Sequence, residues 1–129
     1  MKKHKISLLA SIFIASLAIL LLSNNSIKPK HLRHVVAFNF KTEVSEEQKL
    51  KVTQEFYALK AHIPEIIEFE GGVDINAKTS SKKFTHCFIV TVKDETDLGI
   101  YGIHPKHKAF SAMANLLLAE VMVVDYWVE

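Results

Sequence analysis

With 129 residues the chain has room for one modest core and no second domain once its N-terminus is set aside. Residues 31–129 carry 11 Lys and Arg against 14 Asp and Glu, so the overall net charge of +2 comes from five lysines ahead of them and nucleic-acid binding has no electrostatic support. Cys87 is the single cysteine, which excludes an intrachain disulfide and a Cys-rich metal centre.

Lys2, Lys3 and Lys5 precede an apolar run at 6–22 whose polar members are Ser7, Ser11 and Ser16. As a helix this run spans about 25 Å, the lower end of what crosses a bilayer, so residues 1–23 are expected to be a membrane anchor or signal segment. Ser23-Asn24-Asn25-Ser26 offers no Ala-x-Ala-like pair for cleavage, which favours an uncleaved anchor. Either outcome places the domain outside the cytoplasm, tethered to the membrane or, after cleavage, secreted or periplasmic. Residues 24–30 read as a polar linker and 31–129 as the folded domain.

Residues 34–40 alternate, with His34, Val36, Phe38 and Phe40 on one face and Val35, Ala37 and Asn39 on the other, which predicts a strand. Ser45 and Gln48 form a capping box for a helix over 46–62, along which Val52, Phe56 and Leu59 recur at helical spacing, followed by Ile63, until Pro64 ends the pattern. A second strand is expected at 66–73, where Gly71-Gly72 signals a bulge or close backbone approach, and 74–83 is a polar loop. The third strand, 84–92, sets Phe84, His86, Phe88, Val90 and Val92 against Thr85, Cys87, Ile89 and Thr91. A short helical turn at 94–101, a helix from 105 to about 120 and a β-branched, aromatic strand at 121–128 complete the chain.

The order β-α-β-β-α-β predicts a ferredoxin-like α+β sandwich, both helices on one face of an antiparallel sheet, preceded by the N-terminal hydrophobic helix. Apolar residues on both sides of such a sheet require cover for the face that the helices leave bare. Face-to-face packing of two copies, a homodimer, supplies it.

The chemistry concentrates in residues 101–110, Tyr-Gly-Ile-His-Pro-Lys-His-Lys-Ala-Phe. Pro105 suits the first helical position. With His104 as the flanking cap, His107 falls in the first turn, where the helix dipole disfavours an imidazolium and keeps the ring able to accept a proton. A neutral His107 can remove a proton α to a carbonyl while Tyr101 donates to the developing enolate oxygen. His34 and His86 sit among Phe and Val on central strands, as hydrogen-bonded core residues or as further walls of a pocket that also draws on His104. A three-histidine metal site from His34, His86 and His107 lacks the support of a close His-x-His or His-x-x-x-His pair, so no metal is expected. No phosphate-cradling, serine-triad or dinucleotide motif occurs, and no cofactor is expected.

His34-Val35-Val36-Ala37-Phe38-Asn39-Phe40, Gly71-Gly72, Thr85-His86, the Tyr101-x-x-His104-Pro105-x-His107-x-x-Phe110 block and Val123-Val124-Asp125-Tyr126 together resemble the stress-responsive dimeric α/β-barrel family. The resemblance covers nearly all of the chain after its leader. It implies a dimer whose two sheets pack into a barrel. It also implies site residues, because a plant polyketide cyclase of this family closes its ring by aldol condensation without metal or cofactor, using a histidine and a tyrosine that match His107 and Tyr101. Further pocket histidines of that enzyme match His34 and His86. Two functions stay open: a membrane-tethered or exported stress-response barrel that binds a small, largely apolar molecule, and a cofactor-independent cyclase or isomerase-type enzyme using a His/Tyr acid-base pair.

Overall fold

The computed structural model describes residues 30–78 and 83–128. The elements run β1 (Leu32–Phe40), α1 (Glu46–His62), β2 (Glu68–Val73), β3 (His86–Val92), α2 (Glu95–Ile103), α3 (Pro105–Asn115) and β4 (Leu118–Trp127). The four strands form one sheet in the order β2-β3-β1-β4, every neighbouring pair antiparallel, as a ferredoxin-like α+β fold requires. The expected membrane segment at 1–23 lies outside the described residues. Among the described residues no helix is long and apolar enough to cross a membrane.

Local chemistry explains where the elements begin and end. At the start of α1 the Ser45 hydroxyl accepts from Gln48 N–H at 3.2 Å and the Gln48 amide oxygen accepts from Ser45 N–H at 2.9 Å. The capping box thus satisfies two donors that the first turn leaves orphaned. Val52, Phe56, Leu59 and Ile63 are buried against the sheet, with Phe56 close to Phe69, Phe88 and Phe110. Gly71 permits a close approach of β2 to β3: a Cβ there would stand 2.5 Å from the Cys87 carbonyl oxygen and from Phe88 Cδ1.

The strands begin two or three residues away from the sequence expectation, β1 at Leu32, β2 at Glu68, β3 at His86 and β4 at Leu118, and two helix boundaries differ as well. The turn at 94–101 is a nine-residue helix, α2, because the Asp94 side chain accepts from Asp97 N–H at 3.0 Å and caps it. The following helix stops at Asn115 rather than near 120, because β4 pairs with β1 along its full length, from Leu32 opposite Trp127 to Phe40 opposite Leu118. Ladder hydrogen bonds to a central strand outweigh about one more turn of helix here.

The helices cover only part of the sheet. The edge strand β4 leaves Val121, Val123 and Trp127 part-exposed on the helix side and Met122, Val124 and Tyr126 part-exposed on the other. An apolar edge open on both faces is unfavourable for an isolated monomer.

Candidate functional site

A cavity of about 240 Å³ lies between α3 and the β1/β4 half of the sheet. At one end it is bordered by His34 from β1, Tyr101 from the last turn of α2, and His107 and Ser111 from α3. The break between the two helices creates this end. Pro105 excludes helical backbone at the residue before it, and His104 is extended at φ −59° and ψ 134°, so the chain turns and restarts as α3. The turn faces Tyr101 towards His107, their ring centroids 4.3 Å apart. Phe38, Phe56 and Phe110 close the other end, with Val36, Val121 and Val123 along the floor.

Hydrogen bonds set the tautomers. His107 Nδ1–H donates to the Gly102 carbonyl at 3.0 Å, which leaves the lone pair on Nε2, 3.4 Å from the Ser111 hydroxyl that donates to it. Burial lowers the His107 pKa below the ordinary imidazole value, the Gly102 bond opposes this, and the neighbouring His34 and His104 reinforce it. His107 is therefore a neutral base near pH 7. Burial raises the Tyr101 pKa far above that of a free phenol, so this hydroxyl keeps its proton and can only act as a hydrogen-bonding acid. That hydroxyl is buried and has no hydrogen-bond partner among the described residues. His34 Nδ1–H donates to the Asp125 carboxylate at 2.7 Å, fixing its ring edge-on to Tyr101 at 5.5 Å.

Of the five residues singled out in the sequence, His34, Tyr101 and His107 converge on this cavity. His104 instead caps α3, its Nδ1 accepting from Lys106 N–H at 3.2 Å, and does not border the cavity. His86 lies opposite Phe38 in the β1/β3 register, stacked on that ring at 5.2 Å, and faces a different hollow. Burial lowers its pKa, with Lys49 adding to the effect. Among the described residues no group of three His, Cys, Asp or Glu side chains is placed to hold a metal ion.

Asp125 and Ser111 belong to the site and were not singled out in the sequence. Asp125 had a visible signal: it is a carboxylate inside an otherwise apolar strand, on the parity shared with Val121 and Val123. Ser111 had a weaker one, its spacing four residues after His107 on the same helix face.

Residues 32–128 match the family described as the stress responsive A/B barrel domain. Over 95 residues the chain is 26% identical to olivetolic acid cyclase of Cannabis sativa, covering 74% of this chain and 94% of the cyclase. Among solved structures it is similar to a hydroxynitrile lyase from Passiflora edulis, 21% identical, with a TM-score of 0.71 over 79% of this chain and 96% of the lyase. It is also similar to a dimeric protein of ferredoxin-like fold and unknown function from Bacteroides fragilis, 25% identical, with a TM-score of 0.63 over 76% and 96% of the two chains. The likeness to the lyase concerns the fold alone. By its sheet order, its His-Pro-x-His block and the span of the match, the chain belongs to the stress responsive A/B barrel domain family.

Proposed function

We propose that this protein is a homodimeric barrel that binds a small, largely apolar carbonyl compound in the cavity beneath α3, in a stress-related role. The observation that carries the reading is the Tyr101 hydroxyl, buried beside the cavity with no hydrogen-bond partner among the described residues. A buried donor left unmade costs about 1–3 kcal/mol, and a ligand oxygen in the cavity removes that cost. The apolar end holds the rest of the ligand. Calorimetric titration with straight-chain 2,4-diones tests this: the native protein binds them, Tyr101→Phe binds them more weakly, and equal affinity in both overturns it.

A second reading, turnover of the ligand, is favoured by the neutral His107 next to that phenol. His107 Nε2 removes a proton α to the carbonyl, Tyr101 O–H donates to the oxygen as negative charge develops, and the enolate carbon bonds to a second carbonyl carbon of the same molecule, whose C=O π bond breaks as its oxygen takes the proton back from His107. The bond to Asp125 holds the His34 ring edge-on against Tyr101, which fixes one wall of the site. This is the class of chemistry of the plant cyclase, which supports it by likeness. Comparison of β-polyketone turnover by the native protein, His107→Ala and Tyr101→Phe tests it, and equal rates in all three overturn it.

The bare, apolar face of the sheet and the dimeric relative from Bacteroides fragilis support the homodimer. The apolar run at 6–22 supports a membrane tether, with the domain on the non-cytoplasmic side or exported after cleavage. Mass measurement of the mature chain and membrane fractionation test that part.

A further inference from the structure

On the helix-covered side of the sheet two hollows lie end to end, and one ring stands between them. Phe38 borders the cavity that holds His34, Tyr101 and His107. The same ring stacks on His86 at 5.2 Å and 8°, and His86 borders a second hollow of about 510 Å³ together with Asn39, Lys49, Thr53 and Thr85. The two chambers differ in character. The first is lined mainly by apolar side chains, with Ser111 and Asn115 the polar members beside the His/Tyr group, whereas the second carries the Lys49–Glu46 ion pair and the Thr53 and Thr85 hydroxyls next to Leu50 and Val73.

Phe38 is held in place. It is 1% exposed, stacks on Phe88 at 5.6 Å and meets Phe40 edge-on at 5.4 Å. Swinging it aside would break its ring contacts with Phe40, Phe56, His86 and Phe88 and leave a void in a core packed to crystal density. The stacked pair Phe56 and Phe110, 4.6 Å apart, closes the remainder of the same end.

We infer that Phe38 is a specificity-determining residue that fixes the length of the ligand. A chain anchored by its carbonyl oxygen at Tyr101 extends along β1 and ends against this ring, without reaching His86. From His34 to Phe38 is four residues of strand, about 13 Å, which bounds the ligand's reach. The same partition keeps His86 out of the site. This rests on the carbonyl-binding function proposed above.

The experiment measures Kd for the series from pentane-2,4-dione to dodecane-2,4-dione on the full chain, native and Phe38→Leu, with NMR of the His86 ring as a second readout. For the native protein each added methylene tightens binding about fourfold until the chain meets Phe38, after which affinity falls about tenfold. In Phe38→Leu the optimum moves to longer diones, and those diones alone shift the His86 ring signals. Val36→Phe, which adds a ring on the same face nearer His34, moves the optimum to shorter diones and carries the test if Phe38→Leu does not fold. An optimum unchanged by both substitutions overturns the role of Phe38 alone. Absence of binding across the whole series in every variant overturns the carbonyl-binding function and this inference with it.

Discussion

Replacing Tyr101 by Phe removes one oxygen, and the structure says what that oxygen costs. The side chain is 2% exposed and its hydroxyl has no partner among the described residues, so the empty protein carries the desolvation of a polar group without a bond in return. Deleting it should stabilise the unliganded fold by about 1–3 kcal/mol while weakening dione binding. For a domain of this size, each kcal/mol corresponds to a rise in Tm of about 4–8 °C. The pH dependence is a second, independent signature. Burial raises the folded pKa of Tyr101 above the ordinary value of 10.0, so above pH 10 the unfolded chain has released a proton that the folded chain still holds. Stability that is present below pH 10 is then lost as pH rises, by about 1.4 kcal/mol per pH unit from this group. Tyr101→Phe loses that share. Urea unfolding of both proteins between pH 7 and 11 checks the sign and the slope. A lower Tm for Tyr101→Phe at pH 7, or parallel alkaline limbs, would refute the account of an unpartnered hydroxyl.

Acid should act on the histidines in the opposite sense. His107 and His86 have pKa values lowered by burial from 6.5, so their neutral forms favour the fold above that pH, and stability falls as pH drops below 6.5 while the unfolded chain takes up protons; in His107→Gln this acid limb, followed by thermal melts from pH 7 to 4, should be shallower. Gly71→Ala places a Cβ 2.5 Å from the Cys87 carbonyl oxygen, backbone that cannot swing away, and should cost at least about 1–3 kcal/mol in urea unfolding. Val124→Glu puts a carboxylate on the bare sheet face, midway along the edge strand β4; analytical ultracentrifugation should then show the 14.6 kDa chain where the native protein sediments at twice that mass.

Strand parity and strand offset are different kinds of information, and they separate what the sequence reveals here from what it hides. Alternation places His34, Val36 and Phe38 on one face of β1 and His86, Phe88 and Val90 on one face of β3, and the structure keeps both sets on the helix side. Which members of the two sets meet depends on the pairing register, and no residue of either strand announces it. Phe38 pairs with His86 and His34 with Val90, so the two histidines stand four residues apart along the sheet, about 13 Å, with a phenylalanine ring between them. A local motif carries no such ambiguity. Tyr101, His104, Pro105 and His107 are close in sequence, so proline's effect on its predecessor and the cap at His104 already decide that the phenol and the imidazole face one another across the break. Asp125 is the intermediate case: its parity on β4 was readable, but its bond to His34 depends on the β1/β4 register that also ended α3 early. The site is therefore legible where it is built by neighbours in the chain and hidden where it is built by partners across the sheet. For the same reason the length of the ligand is set by a residue, Phe38, whose sequence context marks it only as core.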